Sequence, residues 1–208
     1  MKALLAVAVF SMLWATSCDE PASSPTREQP TQQAQAPVVV TPPRPELPIP
    51  ADEHNFITAV QRGQSAFRAA PNEMAQGGTR SQRRAAICQN LSGVSVLRWV
   101  GQIEKLSSNS DGKGVLEIAV APGVHVKTWN NDLSDSFGSA NTLIDPSSPL
   151  FAVVSQMKQG DEVLFSGTFF PSTLDCVREG SVTLEGSMTD PEFIFRYASV
   201  SAAGTTPQ

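Results

Sequence analysis

Three cysteines and two histidines are the scarce reactive side chains of this 208-residue chain. They limit what chemistry it can do. His54 and His125 show no local spacing with Cys176 that would suit a cysteine nucleophile and its base. No Gly-x-Ser-x-Gly elbow, phosphate loop, His-Glu-x-x-His or Cys-x-x-Cys is present in the sequence. Asn109-Ser-Asp111-Gly112-Lys113-Gly114 has the look of a calcium loop but lacks the closing Glu at loop position twelve, and a hairpin turn accounts for it better. Asp132, Asp135 and Asp145 fall in one loop, where they can either offer oxygens to a cation or cap turns. The sharper signal is aromatic: His125, Lys127 and Trp129 alternate with Val124 and Val126, which puts them on one face of a strand. An indole beside an ammonium can stack on a sugar, a base or an aromatic side chain. The competing reading makes Trp129 a core residue under a helix. The expectation is therefore a ligand face at His125, Lys127 and Trp129 on a protein that is not an enzyme, with no cofactor and no metal.

Composition narrows the classes further. Charged residues make up 17% of the chain and its formal net charge is −5, the opposite of the basic stripe that binds phosphate backbones. After the first twenty residues no apolar run approaches the ~20 residues that a membrane-spanning helix needs.

Those face residues need a scaffold, and the clearest part of it runs from Gly160 to Phe170. A Gly-Asp turn launches a strand in which Val163, Phe165, Gly167 and Phe169 share a face; the mid-strand glycine suggests a bulge or a barrel corner. Other strands are expected over Trp99–Leu106, Val115–Val120, Val124–Trp129 and Glu192–Val200, with a possible short one at Val182–Leu184. Ser148 and Pro149 open a short amphipathic helix reaching Met157, with Ser148 as N-cap and Pro149 in the first turn. Trp99 begins an otherwise apolar strand and reads as core. Two helices come before the strands. One follows Asp52 and Glu53 and stops at Pro71; Gly63 weakens it. The other is expected to begin at the N-cap candidate Thr79, after a flexible Gln76-Gly77-Gly78 break, and to end at Gly93. Arg80, Arg83 and Arg84 crowd its start, either as a site for an anion or as a solvated face beside acidic neighbours.

The fold class is thus mainly β: a five-stranded OB-like Greek-key barrel, in the order three strands, helix, two strands, preceded by two short helices. Trp99-x-Gly101-x-Ile103, Gly160-Asp161…Gly167 and Pro191-Glu-Phe-Ile-Phe-Arg196 resemble domains of uncharacterised bacterial envelope proteins and, more loosely, the small periplasmic proteins of the bacterial OB-fold family. The resemblance covers about residues 95–201. Its motifs are structural, so it assigns no functional residue.

At the N-terminus, Lys2, an apolar run and the small residues Ala15, Thr16 and Ser17 lead into Cys18, the layout of a secretory signal peptide. It resembles the lipobox of bacterial lipoproteins, with Ala15 where leucine is usual. The resemblance implies an acylated Cys18, a membrane anchor and a periplasmic location, and Asp19 implies retention at the inner membrane. The alternative is an ordinary signal peptide cleaved near Ser17. Nine of the 16 prolines lie in residues 19–50 among Gln, Ser and Thr, so that segment is expected to be a disordered, extended tether. The divisions are then 1–17 signal peptide, 18–50 lipidated cysteine and linker, 51–93 helical preface, 94–203 OB-like barrel and 204–208 disordered tail.

In an exported protein the two remaining cysteines, Cys88 and Cys176, are most simply a disulfide, the alternative being two buried thiols. The function expected is a lipid-anchored, non-enzymatic binding or interaction module of the bacterial envelope, with a protein or glycan partner. Alternatives are a cell-wall-directed enzyme or enzyme inhibitor and, against the charge, a nucleic-acid-binding OB domain.

Overall fold

The computed structural model describes residues 47–129, 141–173 and 176–204. Helices α1 (Ala51–Ala69) and α2 (Glu73–Asn90) precede strands β1 (Ser95–Ser108), β2 (Gly114–Ala121) and β3 (Val124–Lys127). Helix α3 (Pro149–Val154) leads into β4 (Glu162–Phe169), and the two-residue strands β5 (Pro171–Ser172) and β6 (Cys176–Val177) form a small ribbon. Helix α4 (Leu184–Thr189) and strand β7 (Glu192–Ala202) complete the described chain. The protein is mainly β, built on a five-stranded mixed sheet. Its strand order is β1-β2-β3-β7-β4, and β1 also pairs with β4, so the sheet closes on itself. Every ladder is antiparallel except β3 against β7.

The expected alternation in β4 is realised: Val163, Phe165, Gly167 and Phe169 all face the interior. The register slips between Ser166 and Gly167. A side chain at Gly167 would run into the Arg196 carbonyl and lie 2.6 Å from Phe195 Cε1, so strand curvature here requires glycine. The core is largely aromatic. Phe56 from α1 touches Trp99, Phe169 and Phe193, with ring centroids 5.3, 5.2 and 4.9 Å away. These three partners come from the start of β1, the end of β4 and the start of β7, so α1 covers that end of the sheet. Its opposite end receives α3, whose Val154 is buried and whose Phe151 packs beside Gly114 and Ile144.

Three local expectations are corrected. Helix α2 starts six residues earlier than Thr79: Asn72 Oδ1 accepts the Ala75 N–H at 3.0 Å, a cap strong enough to carry the helix through Gly77 and Gly78. Thr79 instead lies inside the helix, where its hydroxyl donates to the Gln76 carbonyl at 2.7 Å. The segment expected as a short strand at Val182–Leu184 is the entry to α4, because the Thr183 hydroxyl accepts the Gly186 N–H at 3.0 Å and begins a helix. Strand β3 ends at Lys127, short of Trp129. The other expected helix start holds: Ser148 Oγ accepts the Phe151 N–H at 3.1 Å, with Pro149 in the first turn.

Cys88 and Cys176 form a disulfide, with Cα atoms 5.7 Å apart. It joins the last turn of α2 to the β5–β6 ribbon. Gly63, which counts against α1 on propensity, is explained by packing: a Cβ there would sit 2.6 Å from Arg83 Cγ. The missing side chain lets α1 and α2 approach over the Arg83 stem.

Candidate functional site

Polar side chains converge on the outer face of β1, β2 and β3. In β2, Leu116 and Ile118 point inward, so Glu117 points out. In β3, Val124 and Val126 point inward, which turns His125 and Lys127 outward. The third contributor needs an irregularity. On β1, Ile103 pairs with Ile118 and Lys105 with Glu117, so Glu104 is an extra residue with no partner on β2. A bulge of this kind re-aims a side chain. Here it delivers Glu104 to the face that His125 and Glu117 already occupy.

His125 sits at the centre of the cluster. Its side chain is only 10% exposed, although it lies outside the core. Nε2 is 2.8 Å from Asp190 Oδ1, in the turn between α4 and β7. On the other side of the ring, Nδ1 is 2.6 Å from Glu104 Oε2 and 3.7 Å from Glu117 Oε1. Nδ1 is closed to solvent and meets no hydrogen-bond geometry with either oxygen, in spite of the short approach. Burial raises the pKa of the Glu117 carboxyl; the nearby Lys127 and His125 pull it down, and Glu192 and Glu104 push it up.

Lys127 is ion-paired with Glu192, the first residue of β7. Beyond it, Trp129 is half-buried and its backbone N–H donates to Thr142 Oγ1 at 2.6 Å. Lys127 and Trp129 line a cleft of about 340 Å³ together with Lys105, Val115, Glu117 and Gly180. Gly180 keeps the cleft open: a Cβ there would lie 3.0 Å from the indole and 3.3 Å from the Lys127 stem. A second cleft, of about 420 Å³, opens beside His125 and Glu104 and is flanked by Gly101, Pro122 and Ile49. The structure thus brings His125 and Lys127 to one face as expected, with Trp129 past the strand end at the edge of the same cleft. Trp99 is fully buried, and its Nε1–H donates to Asp52 at 2.9 Å.

Sequence reasoning missed Glu104, Glu117 and Asp190. The alternation of Leu116, Glu117 and Ile118 already marked Glu117 as outward-facing. Nothing in the sequence announced the bulge at Glu104 or the return of Asp190 to His125.

Other candidates resolve into structural roles. Arg83, expected on an anion site or a solvated face, is buried; it pairs with Glu179 and donates to the Ser187 carbonyl. Arg84 is exposed and Arg80 half-buried. Asn109 Oδ1 accepts the N–H groups of Asp111 and Lys113 at 3.1 and 2.9 Å, which makes that segment a hairpin turn. Asp145 accepts from the Ser147 N–H and hydroxyl, and these bonds lower its pKa. Asp132 and Asp135 lie outside the described residues, as does Cys18. A larger cleft, about 610 Å³, lies elsewhere, between Asn141–Asp145, α3 and Arg196. The smaller clefts are the ones that join polar groups from three strands.

Comparison of the chain with protein-family models, with curated proteins and with solved structures finds no match.

Proposed function

We propose that this protein is a non-enzymatic binding module of the bacterial envelope, held on the periplasmic side of a membrane, the inner one favoured by Asp19, through a lipidated Cys18 and the proline-rich segment that follows it. Its folded part is read as an OB-like Greek-key barrel. In support, three meandering strands are followed by two more that complete the ring, with β3 parallel to β7. The disulfide supports an oxidising compartment.

The observation that carries the binding reading is the Lys127–Trp129 cleft. A half-buried indole, an ammonium and the Glu117 carboxyl share one recess on the outer face of β2 and β3, where OB-folds commonly take ligands. That combination suits a glycan or a peptide of an envelope partner: a stacking plane, a donor and an acceptor within one side-chain span. The formal net charge of −5 disfavours nucleic acid.

The test is co-sedimentation of the detergent-solubilised full chain with purified cell-wall sacculi, alongside site-directed crosslinking from the cleft in intact cells. Binding or a defined crosslinked partner that Trp129→Ala abolishes, in a variant that keeps its melting temperature, supports the reading. Retention of both by Trp129→Ala would refute it. One observation favours the enzyme alternative: Glu117, a carboxyl of raised pKa, borders the same cleft, as a general acid would. Release of soluble fragments from sacculi by the wild type but not by Glu117→Gln would establish that alternative.

A further inference from the structure

We infer that Glu104, Glu117 and His125 form a binding site for a divalent transition-metal ion of the Zn(II) class, with Asp190 orienting the imidazole. The site shares Glu117 with the proposed ligand cleft but is argued from His125 and Glu104, and it stands if the glycan or peptide reading fails. One ligand atom from each of the three residues falls within 4.8 Å of the others. An imidazole nitrogen with two carboxylate oxygens is a donor set for borderline dications, and is poorly suited to magnesium or calcium, which prefer all-oxygen shells.

The imidazole provides the independent observation. It is nine-tenths buried, and its Nδ1 is shut off from water and makes no hydrogen bond, although carboxylate oxygens of Glu104 and Glu117 lie 2.6 and 3.7 Å away. The opposite nitrogen, Nε2, contacts Asp190 Oδ1 at 2.8 Å. A histidine that donates Nε2–H to a carboxylate presents a lone pair at Nδ1, and this carboxylate–histidine arrangement is the usual outer support of a metal-bound imidazole. In that tautomer the ring nitrogen is crowded with two carboxylate oxygens, a grouping that a cation would relieve. Lys127 acts on Glu117 from a distance but is itself paired with Glu192.

The spacing is workable. Metal–ligand bonds of about 2.1 Å in a tetrahedron place neighbouring ligand atoms about 3.4 Å apart. Glu117 Oε1 is 3.7 Å from Nδ1, close to that value. Glu104 Oε2, at 2.6 Å, has to retreat by nearly 1 Å, and its side chain is 47% exposed, so it has room to do so. Three protein ligands leave one coordination position for solvent.

The test uses the full chain, stripped with a chelator and titrated with Zn(II) and with Co(II) alone, reading bound metal by equilibrium dialysis and Co(II) by its visible absorption. The expected result is one equivalent bound per chain and a rise in melting temperature. Glu104→Gln and Glu117→Gln should each weaken binding at least tenfold, and Asp190→Asn by about 10- to 100-fold. Glu104 is half-exposed, so its variant should fold even if a His125 variant does not. His54→Ala, which changes an exposed histidine elsewhere, should leave binding unaltered. Binding of less than a tenth of an equivalent overturns the inference. Equal binding by Glu104→Gln and Glu117→Gln also overturns it, because the metal then sits elsewhere.

Discussion

Glu53 Oε2 accepts the backbone N–H of Val100 at 2.9 Å, which fastens the first turn of α1 to β1. The residue is completely buried, and its other oxygen, Oε1, has no hydrogen-bond partner. Loss of hydration outweighs the bond from Val100, and with Asp52 nearby it raises the Glu53 pKa from 4.5 to about 8. The folded protein therefore holds a proton that the unfolded chain releases near pH 4.5. Glu53 favours folding most below pH 4.5 and progressively less as pH rises to about 8. The slope from this one group is ~1.4 kcal/mol per pH unit at most. Glu53→Gln keeps an acceptor for Val100 and removes the ionisation. Chemical denaturation from pH 5 to 9 should show wild type losing stability relative to Glu53→Gln as pH rises. Parallel curves would mean that Glu53 is ionised when folded.

Reduction of the Cys88–Cys176 bridge should lower stability by about 2–5 kcal/mol, the usual cost of removing a native disulfide from a small domain. The measurement is thermal melting of Cys88→Ser/Cys176→Ser against the oxidised wild type. A peptide joining the two cysteines should appear in non-reducing mass spectrometry.

Buried charge gives a sharper contrast. Arg83 and Glu179 have side chains only 1% and 4% exposed. Replacing Arg83 alone with Met should cost about 3–5 kcal/mol, because it removes the cation paired with the buried Glu179 carboxylate. Arg83→Met combined with Glu179→Leu should recover most of that loss in urea titrations. An additive double variant would show that the two residues do not act as a pair.

The two tryptophans of the folded part should part company. Trp99→Ala should cost about 3–5 kcal/mol, as expected for a buried aromatic. Trp129→Ala should cost clearly less, since Trp129 is half-buried at the cleft edge. A comparable loss would return Trp129 to the core.

The proposed anchor has its own test. Cys18→Ala should move the protein from the membrane to the soluble fraction of lysed cells, and continued membrane retention would refute lipidation as the tether.

Much of the sheet was legible in the sequence because period-two patterning leaves little freedom: once Phe165 and Phe169 face inward, the whole face of β4 follows. Helix starts were less so. Thr79 had the right chemistry for a cap, but Asn72, just after Pro71, has it too and begins the helix sooner. Propensity cannot weigh two glycines against a cap whose hydrogen bond appears only in three dimensions. Half of the candidate site was visible for the same reason that the strands were, since alternation alone turns His125 and Lys127 outward. The other half depends on a one-residue slip in β1 and on a turn 65 positions away that returns Asp190 to His125. Both arise from the register of distant strands.

Closure of the sheet limits how a partner can be held. Each of the five strands is already paired on both sides, so the backbone offers no long row of free N–H and C=O groups. A peptide cannot join this sheet as an added strand, the mode that open-edged domains use. On the proposed reading, recognition on the β1–β3 face would run through side chains. Its selectivity would then reside in a few residues, and a change at Trp129 or Glu117 would redirect it while every main-chain ladder stays in place.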